Sequence, residues 1–328
     1  MTVLVADVGG THCRFALAEQ ERGALVLSAF HTYASASQPA LEPLLYDYLD
    51  RTGAAPTMAA LAVAGPVEDG VCTATNLPWV VDAARLTESL ASRGHALRVE
   101  VLNDFEAVAW GVREVPTELR HTLQAGRHDP TGPIAVLGAG TGLGEALAVP
   151  IGHGLRVLPT EGGHTDLAPR NAFEDALLVH LRARFPEHVS YERVLSGRGL
   201  GALFEHVLAL TGDERTASHE AVLLSDDPAR EVIARRAVDP VCARTVEAFV
   251  DLLGAEAGNL ALKSIPTGGL FVAGGIAPRI HDVVERRLLP ALLAKGRMRR
   301  VLERVPVHLV LDGHVGLRGA AAYARYAR

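Results

Sequence analysis

The chain has 328 residues, 48% of them hydrophobic and only 5% aromatic, with a formal net charge of −6. This length suggests two domains of about 150 residues each, with cores resting mainly on Ala, Val and Leu. The acidic balance argues against a nucleic-acid or anionic-membrane partner, either of which would favour a basic surface. The basic stretch Arg297 to Arg300 reads as a solvated helix end. Cys13, Cys72 and Cys242 lie far apart with no CxxC pair, so neither a disulfide framework nor a zinc cluster is expected, and a reducing compartment fits. Met1-Thr2 leads directly into Val3-Leu4-Val5-Ala6 without a positive n-region, and no apolar run reaches the ~20 residues of a membrane helix. A cytoplasmic protein is the expectation.

In chain order, Val3 to Val8 reads as a strand closed by Gly9-Gly10. Alternation at Cys13, Phe15 and Leu17 predicts an antiparallel second strand, and Leu25 to Tyr33 a third. Apolar positions at Leu41, Leu44, Leu45, Tyr48 and Leu49 mark a helix. Met58 to Ala64 is a strand broken by Gly65-Pro66, Val71 to Thr75 a short strand, and Asp82 caps a helix running to Ser92. The strand Val99 to Leu102 runs into Asn103-Asp104, and a helix continues to Val112. The second half opens in the same way, with strand Ile134 to Leu137, a glycine turn, and a returning strand Gly144 to Val149. The segments VLVADVGGTHCRFALA and IAVLGAGTGLGEALAV share this plan about 130 residues apart. The repeat suggests a duplicated α/β domain with a ligand held between the halves. Helices follow at Ala172 to Arg184, Leu200 to Leu210 and Pro240 to Leu262. The last elements are a strand at Leu270 to Ala273 ending in Gly274-Gly275, a helix His281 to Leu293, a strand Val305 to Leu311 and a helix Val315 to Tyr326 able to return to the first domain.

Several of these turns carry residues suited to chemistry. Paired glycines in Asp7-Val8-Gly9-Gly10-Thr11 let backbone N–H groups approach a phosphate, and Thr11 can add a donor. Asp7 suits a magnesium ion held through water. A plain hairpin turn is the alternative. Gly138-Ala139-Gly140-Thr141-Gly142 supports a second phosphate hairpin more strongly, since three glycines in five positions cost backbone entropy that a simple turn does not need. It is neither a Walker A loop nor a dinucleotide fingerprint. Gly274-Gly275 offers a third close approach, suited to an adenosine. Asp104 stands where a strand hands over to a helix and can accept a proton from an attacking hydroxyl, with Asn103 bonding a neighbouring one; the rival is a simple helix cap. Glu161-Gly162-Gly163-His164 pairs an acid and an imidazole suited to sugar hydroxyls, or is an exposed turn. Glu192 alone reads as a helix-start acid.

Taken together, these segments resemble the bacterial glucokinase family, the ATP-dependent hexokinases of the actin-like superfamily that lack the ROK signature. The resemblance spans DVGGT, AGPV at Ala64, TNLPW at Thr75, LNDFEAVA at Leu102, GAGTGLG at Gly138, EGGH at Glu161, ERVLSG at Glu192, GNLAL at Gly258 and GL-x-GA at Gly316. It implies a two-domain actin-like (ribonuclease H-like) α/β fold, each domain a mixed sheet flanked by helices, with the active site in the interdomain cleft. Residues 1–113 with 313–328 would form the small domain and 114–312 the large one. By the same resemblance Asp104 is the base acting on the 6-hydroxyl of glucose, and Asn103, Glu161, His164, Glu192 and Asn76 bind the sugar. Ala6, Asp7, Val8, Gly9, Gly10 and Thr11 with Gly138, Gly140, Thr141 and Gly142 hold the phosphates of MgATP. A homodimer closing over its sugar is implied. The chain departs from the family pattern at His12, Cys13 and Glu145, the last a carboxylate near the phosphate hairpin that would repel ATP unless paired or turned away. A kinase for fructose, mannose or an amino sugar is the alternative, and a sugar-sensing regulator a more distant one.

Overall fold

The computed structural model describes residues 2–75, 77–152, 154–212 and 215–326. Asn76 therefore lies outside the described residues. In chain order the first elements are β1 (Val3–Val8), β2 (His12–Glu21), β3 (Ala24–Ala34), α1 (Glu42–Thr52), β4 (Met58–Val63), β5 (Val67–Glu68), β6 (Val71–Thr73) and β7 (Val80–Asp82). There follow α2 (Ala83–Ser92), β8 (Arg98–Asn103), α3 (Asp104–Gly111), β9 (Arg120–Gln124), β10 (Ile134–Ala139), β11 (Leu143–Ile151), β12 (Gly154–Thr160) and α4 (Ala172–Arg182). Next are α5 (Gly197–Thr211), α6 (Ala217–Leu223), α7 (Pro228–Arg235), α8 (Pro240–Ser264) and β13 (Gly269–Ala273). The last are α9 (His281–Leu293), α10 (Arg299–Leu302), β14 (Val307–Val310) and α11 (Val315–Tyr326). Among the described residues, no helix is long and apolar enough to cross a membrane.

The chain packs as two compact units. The first comprises Met1–Leu119, Ile151–Pro159 and Asp312–Arg328. Its main sheet has the order β3-β2-β1-β4-β8, with the meander antiparallel and β1, β4 and β8 parallel. Every residue of β4 is buried, as expected for a parallel strand covered on both faces. Alternation in β1 sends Leu4, Ala6 and Val8 into a core with Leu44, Leu45 and Leu49 of α1 and Leu86 and Leu90 of α2. The opposite face, carrying Val5 and Asp7, is covered by α11, which packs on β1, β4 and α3. Helices α3 and α11 meet backbone to backbone: a Cβ at Gly319 would stand 1.6 Å from the Ala107 carbonyl oxygen, and one at Gly111 2.1 Å from that of Val315. Any side chain at either glycine would force the helices apart. Since α3 begins at Asp104, the final helix holds that residue's element against the sheet.

The second unit comprises Arg120–Pro150 and Thr160–Leu311. Its sheet runs β11-β10-β13-β14-β9, with β10, β13 and β14 parallel between antiparallel neighbours. The core gathers Leu137 of β10, Val272 of β13, Phe204 of α5, Phe249 and Leu253 of α8, and Leu288 of α9. Here too glycines allow close packing: Cβ atoms at Gly254 and Gly258 of α8 would meet the carbonyl oxygens of Leu288 and Leu292 at 2.5 and 2.6 Å.

Some elements escape the periodicity argument for physical reasons. β9 reads Arg-His-Thr-Leu-Gln because it is a sheet edge, paired only with β14, where polar residues guard against further pairing. The short helices α6 and α7 are set by caps, Thr216 accepting from His219 N–H and Asp227 from Arg230 N–H. The last strand is shorter than Val305 to Leu311, because Pro306 has no N–H to donate and the ladder starts at Val307. Arg297 to Arg300 is exposed, as expected, and lies where a 3-10 turn meets the four-residue α10, whose last turn holds Arg299 and Arg300.

Candidate active site

In the first unit, register aligns Val8, Val63 and Asn103 at the carboxyl ends of three adjacent parallel strands. Everything beyond that row, namely the Gly9–Thr11 turn, Ala64-Gly65 and Asp104, emerges at one sheet edge, where α/β sheets place ligands. The first turn is pinned from behind. Gly9 N–H donates to the His12 carbonyl at 3.0 Å, and the buried Ser35 hydroxyl donates to the Gly9 carbonyl at 2.7 Å. Cys13 is buried beneath it, its thiol 3.4 Å from the Ser35 hydroxyl and its pKa raised, mainly by burial. That departure therefore fills the space under the turn, whereas His12 is exposed.

Asp7 pairs with Arg14 directly opposite on β2, Nη1 to Oδ2 at 3.2 Å. Burial nevertheless raises its pKa, with Arg14 and His314 opposing. Asp104 is displaced in the same direction. Burial first, and then the charge of Asp7, push its carboxyl up to about 6, against the favourable hydrogen bonds from Phe105 N–H and Asn103. A carboxylate held near neutrality beside an open strand edge is suited to taking a proton.

The structure separates Asp104 from the capping role. The N-cap of α3 is Asn103, whose Oδ1 accepts from Phe105 N–H at 2.9 Å and Glu106 N–H at 3.0 Å. Asn103 Nδ2 donates to the Gly65 carbonyl at 2.9 Å. Asn103 thereby fixes the orientation of Asp104, a connection that sequence inspection of AGPV missed. Gly65 is obligatory there: its φ is +154°, and a Cβ would lie 2.6 Å from the Thr73 carbonyl oxygen.

In the second unit, β10 and β13 are parallel neighbours with Gly138 opposite Ala273. The turns that follow them, Gly140–Gly142 and Gly274-Gly275, consequently lie side by side. Gly274 has φ +86°, and a Cβ there would strike the Ala139 carbonyl oxygen at 2.3 Å. Cβ atoms at Gly140 and Gly275 would meet nothing within 4 Å, so both turns present open backbone. α5 begins against the same hairpin, with Gly197 N–H donating to the Gly140 carbonyl at 2.8 Å. Its Ser196 cap accepts from Gly199 N–H. The Ser-Gly-Arg-Gly run at 196–199 was the signal for this helix start, whose N–H groups favour an anion. An alanine at Gly140 is thus expected to leave the melting temperature almost unchanged while raising KM for ATP at least severalfold. Equal losses of nucleotide and hexose affinity, with a lowered melting temperature, would assign Gly140 to the turn alone.

The Glu161-Gly162-Gly163-His164 segment folds as a 3-10 turn, closed by His164 N–H donating to the Glu161 carbonyl at 3.0 Å. Glu161 and His164 stand open to solvent, side chains 86% and 56% exposed, with Oε2 and Nε2 3.8 Å apart. Tyr191 N–H donates to the Thr165 carbonyl at 3.0 Å, which brings Glu192 beside them. Glu192 also accepts from Leu143 N–H at 3.0 Å, and a Cβ at Gly142 would lie 2.5 Å from its Oε2. A residue that looked like an ordinary helix-start acid therefore ties this turn to the glycine hairpin. A cavity of about 260 Å³ lined by residues including Phe173, Leu210, Arg244 and Arg287 lies elsewhere in this unit and contains none of these groups.

Glu145 does not face the open side of the hairpin. Its side chain is buried under Gly162, next to Glu256 of α8.

The Glucokinase family model matches residues 4–327. A glucokinase of Trichormus variabilis is 38% identical over 99% of both chains, and one of Photorhabdus laumondii is 35% identical over 98% of this chain and 96% of its own length. Among solved structures, glucokinase from an Antarctic psychrotroph superposes with a TM-score of 0.84 at 34% identity, covering 99% of each chain. A ROK family glucokinase from Streptomyces griseus, solved in complex with glucose and AMPPNP, shares the actin-like α/β fold at TM-score 0.70 and 20% identity, over 99% of this chain and 100% of its own. With a match running from the first strand to the last helix, this chain belongs to the glucokinase family.

Proposed function

We propose that this protein is an ATP-dependent hexokinase that transfers the γ-phosphoryl group of ATP to the 6-hydroxyl of glucose. The observation that carries the reading is Asp104, held near neutrality at the carboxyl end of the parallel strands in a chain that matches the family end to end. Asp104 accepts the proton of the 6-hydroxyl, the oxygen forms its bond to the γ-phosphorus, and the bond to the bridging oxygen breaks to release ADP. Asn103, Glu161, His164 and Glu192 bind the sugar hydroxyls. The backbone of residues 6–11 and 138–142 meets the phosphates, and Gly274-Gly275 borders the adenosine.

The residues fit a magnesium ion. The pKa of Asp7 is raised by burial beside a second carboxyl, Asp104, which a nearby cation would relieve, and magnesium needs only one or two carboxylates besides phosphate and water. Asp7 would hold it through water, and neutralising charge on the transferred phosphoryl oxygens is what the ion supplies when bound. A homodimer in the cytoplasm completes the reading.

Turnover on a panel of hexoses tests it, with 6-deoxyglucose as the decisive member. It should bind, by calorimetry, within about tenfold of glucose but give no phosphorylated product, since only the acceptor oxygen is missing. Faster turnover of fructose, mannose or glucosamine than of glucose would move the assignment to that sugar. No turnover of any hexose would overturn it.

A further inference from the structure

The interior beneath the Glu161–His164 turn holds two acids that the phosphoryl-transfer chemistry does not use. Glu145 of β11 is 3% exposed and Glu256 of α8 is 0% exposed. A Cβ at Gly162 would stand 2.1 Å from Glu145 Oε2 and 3.0 Å from Glu145 Cβ, so the turn rests directly on this side chain. A Cβ at Gly163 would meet the Leu143 carbonyl oxygen, on the same strand, at 2.0 Å. Thr160 ties the turn's entry to the same residue, its hydroxyl donating to the Glu145 carbonyl at 2.9 Å. Glu256 is gripped on its other side: Asn259 Nδ2 donates to Glu256 Oε2 at 2.8 Å and to the Tyr191 hydroxyl at 3.1 Å. Lys295 donates to Asn259 Oδ1. The buried pair thus touches the turn at one end and reaches the segment carrying Glu192 at the other.

Each acid nevertheless keeps one oxygen, Oε1, buried with no hydrogen-bond partner among the described residues. Two ionised carboxylates facing each other in an interior are costly, whereas one proton between them supplies the missing donor. We propose that Glu145 is a positioning residue for hexose binding: with Glu256 it holds one shared proton under Gly162, and that singly charged pair keeps the Glu161–His164 turn seated. The inference rests on the assignment of that turn to the sugar.

The surrounding charges agree with a single proton. Burial first, and then the charge of Glu256, push Glu145 up to about 8, with Lys263 of α8 opposing. Glu256 is also raised by burial, against Asn259, Lys263, Tyr191 and Lys295. Lys295 itself is held below the usual lysine range by burial and by Arg170, with Glu256 and Glu174 opposing. Tyr191 is pushed up to about 12 and stays neutral throughout. One net negative charge faces Lys263 and Lys295. Loss of the proton adds a second, and the exposed turn above, with glycines at its contact points, is the part that can yield.

The test is the pH dependence of hexose binding. For the wild-type protein, glucose KM should rise at least about fivefold between pH 7 and 9.5, with ATP KM constant within about twofold. Glu145→Gln keeps the shape and supplies a permanent N–H, so its glucose KM should stay flat over that range. Glu256→Gln should do the same. A wild-type glucose KM that is flat to pH 9.5 overturns the proposal. So does an alkaline rise that persists in either glutamine variant, because the titrating group is then another, such as Lys295.

Thermal melts read the proton without sugar. A carboxyl protonated in the native state but ionised when unfolded makes stability fall as pH rises from its unfolded value near 4.5 to about 8 and then level off. Glu145→Gln should lose most of that slope, and an unchanged slope overturns the shared proton. A Glu161→Ala protein with wild-type glucose KM would instead discard the sugar assignment of the turn, leaving the melts to judge the pair.

Discussion

Asp104→Asn is expected to lower kcat by about 10²–10⁴, the usual cost of removing a positioned acid–base group, while glucose still binds. The amide keeps the size of the carboxyl and can still meet Phe105 N–H, which the carboxylate accepts at 2.9 Å. What it loses is the ability to take a proton. The fold should not suffer. The native carboxyl is pushed up to about 6 from 3.8, so at neutral pH the ionised group is less stable in the folded chain than in the unfolded one. The variant should therefore melt at or above the wild-type temperature, which separates a catalytic loss from an unfolding one. The same displacement sets the acid limb of the rate profile. As pH falls through about 6, Asp104 is protonated and kcat/KM should drop about tenfold per pH unit, an effect absent from the residual activity of the variant. Retention of more than about a tenth of wild-type kcat would show that Asp104 serves only the start of α3.

The second large effect is expected at the sugar turn. Glu161→Ala should lower kcat/KM for glucose by about 10–10², the range for losing a hydrogen bond to a charged group, with ATP affinity nearly intact. Its side chain is 86% exposed and its one ionic neighbour among the described residues is His164 at 3.8 Å, so the described fold does not lean on it. Stability should stay within about 0.5 kcal/mol of wild type. Glucose phosphorylated at the normal kcat/KM would reduce the segment to an ordinary exposed turn. A parallel loss of thermal stability would point to the glycines beneath rather than to the carboxylate.

How far the site could be read beforehand differed between the two glycine hairpins. At Gly138–Gly142 the density of glycine exceeded what a turn needs, and the structure divides the reasons. Gly140 faces open space, whereas Gly142 is small because Glu192 packs on it. Spacing could not distinguish these, since both are simply glycines in a turn. In the Glu161–His164 segment, Gly162 and Gly163 stood only as the residues between an acid and an imidazole. Their small size is instead dictated from below, by Glu145 and the backbone of β11. Glu145 itself looked like a charge beside the phosphates; it is turned inward against a partner 111 positions away, Glu256.

Local pattern was sufficient for what depends on neighbours in the chain. An apolar run closed by Gly9-Gly10 marked β1, period-two alternation marked β2, an apolar stripe marked α1, Asp82 was placed as the cap of α2, where its Oδ1 accepts from Ala84 and Arg85 N–H, and the ordered motifs identified the family. These features arise from side-chain periodicity and capping, both written in consecutive residues. Only the tertiary structure decided which groups share an environment. It raised the pKa of Asp104 by burying it near Asp7, passed the capping role to Asn103, itself held by the Gly65 carbonyl, and pressed the backbones of α3 and α11 together through Gly111 and Gly319. Burial and charge proximity depend on distances between residues far apart in the chain, and no local window of sequence contains them.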